Sequence, residues 1–234
     1  MGASMQWREP RDPANRAFGH MIEFGKRRDA GTGYMSFSDR VGPCVLVLHE
    51  FFGLQRSFKD LADSINQEGF TVLVPDLYDG VVVDTVAEAR ALAASLDTDR
   101  TMRRLRAAVE HLTGNWHPRI GAVGFSLGAD FAWALAEEDL LEATVLYYGV
   151  PNTDGPPVRS PVLGHYAQND EWAPLEEARA AFSALDAAGV GAELHDYPGT
   201  GHWFANRAVA DAFDADGADL ARRRTVDFLL HHLS

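Results

Sequence analysis

Apolar residues along this chain follow two alternating rhythms. Compact apolar runs at 44–49, 71–74, 120–124, 143–148 and 162–167, and a mixed run at 193–197, have strand length. Runs without a polar alternation suit strands covered on both faces. Between them, 57–67, 85–96, 100–112, 127–138, 175–188 and 218–232 read as helices. Within 100–112, Met102, Leu105, Ala108, Val109 and Leu112 recur at helical spacing, so one face of that helix is buried. Regular alternation of strand and helix predicts an α/β fold, a mainly parallel, doubly wound sheet with helices on both faces. Two earlier runs, 21–24 and 33–37, predict an antiparallel pair turned around Asp29 and Gly31.

Length and charge narrow the possibilities. A chain of 234 residues can bury one full core, so 18–234 is expected to be a single domain, preceded by an N-terminal arm over 1–17 that contains Pro10 and Pro13. With 46% hydrophobic and 24% charged residues, wholesale disorder is excluded. The 34 acidic against 21 basic side chains leave a net charge of −13. That balance argues against nucleic acid or an anionic membrane as partner, because both demand clustered Lys and Arg. A small molecule is the expected partner, and no motif speaks to oligomeric state. Cys44 is the sole cysteine and lies in a buried run, where it reads as a small core residue. No Cys/His cluster has ligand spacing, so neither a metal nor another cofactor is expected. The chain lacks a signal-peptide core and any run of 18 apolar residues, from which a cytoplasmic location is expected.

Parallel sheets place their ligands beyond the carboxyl ends of the strands, and four reactive side chains stand just there: Glu50, Ser126, Asp170 and His202. The segment Gly124-Phe125-Ser126-Leu127-Gly128 joins a buried strand to an apolar helix, the strand-turn-helix context that a G-x-S-x-G nucleophile requires. The tight turn lifts the serine oxygen above the sheet at a helix N-terminus, and small residues at 124 and 128 avoid collisions with neighbouring backbone. A serine hydroxyl needs an adjacent base. Of nine histidines, His202 is the foremost candidate, following a strand and the small-residue stretch Pro198-Gly199-Thr200-Gly201, which reads as a flexible loop. His49, which closes the first parallel strand, is its rival. The orienting carboxylate should follow a strand between serine and histidine in the chain; Asp170 fits, with Glu171 as the alternative. Two backbone amides, of Leu127 and Phe51, are expected to form an oxyanion hole.

These stretches resemble the dienelactone hydrolase family of α/β-hydrolases. The likeness rests on Leu48-His49-Glu50-Phe51-Phe52-Gly53, Val74-Pro75-Asp76-Leu77-Tyr78, the serine pentapeptide, Asp170 with Pro174, and Gly201-His202. It implies a compact α/β-hydrolase without a large cap domain, cleaving small esters or lactones through an acyl-enzyme, and it matches Glu50 to the family's active-site glutamate. The chain departs from the well-known bacterial members in three places. Ser126 stands where they have cysteine, Asp79 and Gly80 stand where they have an arginine, and Asn206 stands where a second arginine is expected, with Arg207 adjacent. A serine alkoxide cannot be pre-formed as a thiolate can, so Glu50 must act differently here. Without paired arginines, a dienelactone carboxylate loses its strongest contacts.

The expected function is therefore cofactor-free serine hydrolysis of a small ester or lactone. Glu50, Phe52, Tyr78, Trp172, Trp203 and Arg207, together with Phe51, are expected to line the substrate pocket. Two alternatives use the same shell: acyl transfer to an acceptor other than water, including peroxide, and a small-molecule binding protein without turnover.

Overall fold

The computed structural model describes residues 19–37 and 42–234; the expected arm over 1–17 lies outside them. Eight strands form one sheet: β1 (His20–Phe24), β2 (Gly31–Ser36), β3 (Cys44–Leu48), β4 (Thr71–Pro75), β5 (Ile120–Phe125), β6 (Ala143–Tyr147), β7 (Val162–Asn169) and β8 (Ala192–Gly201). Their spatial order is β1-β2-β4-β3-β5-β6-β7-β8. From β4 to β8 all neighbours are parallel, while β1 and β2 add an antiparallel edge. The helices are α1 (Arg56–Gln67), α2 (Val86–Ala94), α3 (Thr98–Asn115), α4 (Leu127–Glu137), α5 (Leu175–Ala187) and α6 (Ala215–Leu233).

The two-residue repeat of a strand divides the core in two. Cys44, Leu46 and Leu48 of β3 pack with Met102, Leu105 and Leu112 of α3 and Phe131 and Leu135 of α4. Val45 and Val47 face the other way, toward Phe58 and Ile65 of α1 and Val226 and Leu229 of α6. Every residue of β3, β4, β5 and β6 is buried, which is why these strands carry no polar alternation.

This topology also locates the site. From β3 the chain goes to β4 on one side and returns to β5 on the other, so the strand order reverses between β3 and β5. Leu48 is paired with Gly124 across that reversal, which brings the loop after β3 level with the turn after β5. No inserted domain covers the strand ends among the described residues. The short α2 leans over them, through Ala89 and the partly buried Val86 and Ala93, onto Phe51 and Phe52, joined there by Val209 from the segment after β8.

Helix boundaries differ from the sequence reading where a polar cap extends them. Asp97 accepts from the Arg100 amide and starts α3 earlier than expected; Asp214 does the same for α6 through Gly217. A larger correction concerns the stretch expected to be a flexible loop before His202. Those residues belong to β8, and Gly201 pairs with Asn169 beyond a register shift, with Gly199 at φ 77° absorbing the irregularity. His202 is thus held at the end of a paired strand.

Candidate active site

Ser126 sits between β5 and α4 with φ 49° and ψ −115°, a left-handed conformation that a non-glycine residue adopts only when its surroundings impose it. Its amide donates to the Tyr147 carbonyl at 3.0 Å, and its carbonyl accepts from Ala129 at 2.8 Å. A Cβ on Gly128 would run into the Leu48 carbonyl and one on Gly124 into that of Gly128, so the turn closes only with glycine at both positions.

The structure brings three side chains into line. Ser126 Oγ lies 3.0 Å from His202 Nε2, and His202 Nδ1 lies 2.9 and 2.8 Å from the two oxygens of Asp170. Asp170 Oδ1 also accepts from the amides of Trp172 and Ala173, at 2.8 and 2.9 Å. An ionised carboxylate is acceptor-only, so Nδ1 carries the proton and Nε2 is free to accept from the serine. Glu171, the alternative acid, is exposed.

His49 is engaged elsewhere. Its Nδ1 is 2.8 Å from the Glu50 carbonyl and its Nε2 accepts from the Leu77 amide at 3.1 Å, while burial lowers its pKa. It clamps the end of β3 to the turn after β4 as a neutral ring, with no nitrogen left for a serine.

The amides of Leu127 and Phe51 have no hydrogen-bond acceptor among the described residues. Leu127 opens α4, where first-turn N–H groups lack intrahelical partners. Three aromatic rings, Trp172, Trp203 and Tyr148, contact that of His202. Trp172 is stacked on the imidazole at 5.8 Å and 26°, and Trp203 meets it edge-on at 4.8 Å. Phe51 contacts Trp172 and Trp203 at 5.7 and 5.8 Å, and Phe52 contacts Trp203 at 5.6 Å. Phe51, Phe52, Trp172 and Trp203 thus cluster as an apolar wall beside the serine–histidine pair.

Two expected pocket residues fall elsewhere. Tyr78 follows β4, on the far side of β3 from the serine; its ring packs 5.7 Å from His49 and borders a different cavity, of about 180 Å³, shared with Arg100 and Arg104. Arg207 is exposed, its guanidinium 5.7 Å from the centre of the Phe213 ring, and no hydrogen bond or ring contact ties it to the serine–histidine pair.

Glu50 is fully buried, held by the Asn206 side-chain amide and, at 3.4 Å, by the Tyr148 hydroxyl. Burial outweighs these two donors and pushes its pKa up to about 8. Tyr148 in turn places its ring 4.8 Å from that of His202. Sequence reasoning missed Tyr148 and underused Asn206, which it registered only as a lost arginine; Asn206 also donates to Gln55 at 3.0 Å. The raised value has a thermodynamic consequence. Between about pH 4.5 and 8 the folded state holds a proton that the unfolded state releases, so this group makes stability fall as pH rises through that window. Glu50→Gln should therefore gain stability relative to the parent as pH is raised from 5 to 8, by at most about 1.4 kcal/mol per pH unit. Urea unfolding of both proteins at pH 5, 6.5 and 8 measures the gain; a difference independent of pH would contradict it.

A serine on a strained strand-to-helix turn, followed in chain order by a buried aspartate and a histidine, and this sheet define an α/β-hydrolase. The dienelactone hydrolase family model matches residues 32–233, and the chain belongs to that family. It is 28% identical to the protein usf of Aquifex pyrophilus over 230 residues, covering 92% of this chain and 100% of that protein. With the carboxymethylenebutenolidase of Pseudomonas putida it shares 28% identity over 206 residues, 80% of this chain and 85% of the relative. A dienelactone hydrolase-like promiscuous phosphotriesterase from metagenomic libraries has the same fold, with a TM-score of 0.80 at 20% identity over 92% of this chain and 98% of that one. No helix among the described residues is long and apolar enough to cross a membrane.

Proposed function

We propose that this chain hydrolyses small carboxylic esters or lactones through an acyl-enzyme on Ser126. His202 Nε2 takes the hydroxyl proton as Oγ attacks the carbonyl carbon, and the amides of Leu127 and Phe51 hold the oxyanion of the tetrahedral intermediate. The C–O bond to the leaving alcohol then breaks, and that oxygen receives the proton from Nε2. In the second half, water gives its proton to Nε2 and attacks the acyl carbon, releasing the acid and restoring Ser126. Asp170 fixes the tautomer throughout and stabilises the imidazolium.

The observation that carries this reading is the unbroken line from a serine oxygen through both ring nitrogens to a carboxylate that is itself fully buried. The aromatic wall beside it favours compact, partly apolar substrates, and the carboxymethylenebutenolidase relative supports lactones among them. Glu50, largely neutral at pH 7, anchors Asn206 and the Tyr148 ring beside His202 and does not exert the thiolate control of the cysteine enzymes. The cytoplasmic location expected from the sequence is part of the same proposal. Turnover of short-chain aryl esters by the parent protein and by Ser126→Ala, side by side, tests it.

A further inference from the structure

The guanidinium of Arg90, on α2, lies 4.2 Å from the centre of the Trp172 indole. That indole is 42% exposed and stacked, at 26°, on the imidazole of His202. A cation is therefore carried to the edge of the candidate site through one aromatic ring. Among the described residues most arginines are neutralised: Arg56, Arg100, Arg103, Arg104, Arg106 and Arg179, among others, each meet a carboxylate. Arg90 meets none among the described residues. Its helical neighbours three and four positions away are Val86, Ala87, Ala93 and Ala94, which offer no acid. Glu171, next to Trp172 in the chain, makes no ion pair with it either.

A guanidinium held over an indole by cation–π attraction keeps its edge N–H groups available, and those of Arg90 make no hydrogen bond among the described residues. Those donors suit a carboxylate in two-point contact. We infer that Arg90 determines the charge preference of the site, receiving the carboxylate of a substrate whose ester carbonyl is presented to Ser126. This inference rests on the hydrolase reading above and adds to it a residue from a helix outside the strand-end loops.

The test compares two p-nitrophenyl esters of matched length, the anionic monoglutarate and the neutral pentanoate. In the parent protein, added sodium chloride should lower kcat/KM for the monoglutarate relative to the pentanoate, because the contact is partly exposed. Arg90→Gln should reduce the ratio of kcat/KM, monoglutarate over pentanoate, by about tenfold, mainly through KM; Arg90→Glu should reduce it further, and Arg90→Lys should restore part of it. A ratio constant within about twofold across the parent and these variants would overturn the role of Arg90 while leaving Ser126 chemistry intact. Turnover of neither ester by the parent would overturn both.

Discussion

Ser126→Ala is expected to lower kcat for a short aryl ester by a factor on the order of 10⁵ to 10⁶. Removing Oγ deletes the atom that becomes covalently bonded to the acyl group, and no neighbour can replace it. Cys44, the one thiol, is buried in β3, at the far end of that strand from the site, with its pKa raised by burial to about 11. The His202 ring and the two amides would remain, so residual rate above water of about 10³- to 10⁴-fold should persist through binding and oxyanion stabilisation alone. Folding should be little affected, because Oγ makes no hydrogen bond except to His202 among the described residues. Steady-state kinetics with a far-ultraviolet circular dichroism control measures the loss; a variant within tenfold of the parent would contradict the assignment.

Asp170→Asn should cost about 10⁴ in kcat with the fold retained. Its geometry explains why an isosteric change is so damaging. Oδ1 accepts two backbone amides, from Trp172 and Ala173, so an asparagine would keep its carbonyl oxygen at that position. The amide nitrogen would then stand where Oδ2 is, 2.8 Å from Nδ1. The retained oxygen is still 2.9 Å from Nδ1, so the side-chain amide offers the ring an acceptor and a donor side by side. In the tautomer that accepts from the new N–H, Nε2 presents an N–H to Ser126 in place of a lone pair, and in either tautomer the negative charge that stabilises the imidazolium is gone. The same kinetics on this variant, with a thermal melt to show the fold, would measure the effect. A loss below about 100-fold would mean that Asp170 does not control the tautomer.

Features set by local rules are legible in the sequence. Apolar runs and helical spacing reported which residues are buried, and the glycines of the elbow reported a backbone that only they permit. Chain order sufficed to nominate Asp170 and His202, because each stands at the end of a parallel strand. Contacts between segments were less visible. Asp170 and Glu171 are adjacent in sequence, and only the turn after β7 decides which one faces inward. Tyr78 was expected in the pocket because it follows a strand, yet β4 lies two strands away from β5, with β3 between them. Arg207 was chosen for its nearness to Asn206, but alternate residues of an irregular turn point apart: Asn206 is buried on Glu50 and Arg207 is exposed. Arg90 carried no signal, since nothing along α2 indicates that Trp172, more than eighty residues later, lies beneath it. The small-residue stretch before His202 misled for a different reason. Glycine and proline usually break strands, and here pairing with β7 resumes after the bulge.

The most direct test of the serine–histidine–aspartate relay is to treat the folded parent protein with a fluorophosphonate, which reacts with a serine only when a neighbouring base activates it, and to map the adduct by peptide mass. One phosphonyl group per chain, on Ser126, with labelling strongly slowed in Asp170→Asn, is the result this structure predicts. An adduct on another residue, or none on protein shown to be folded, would contradict it.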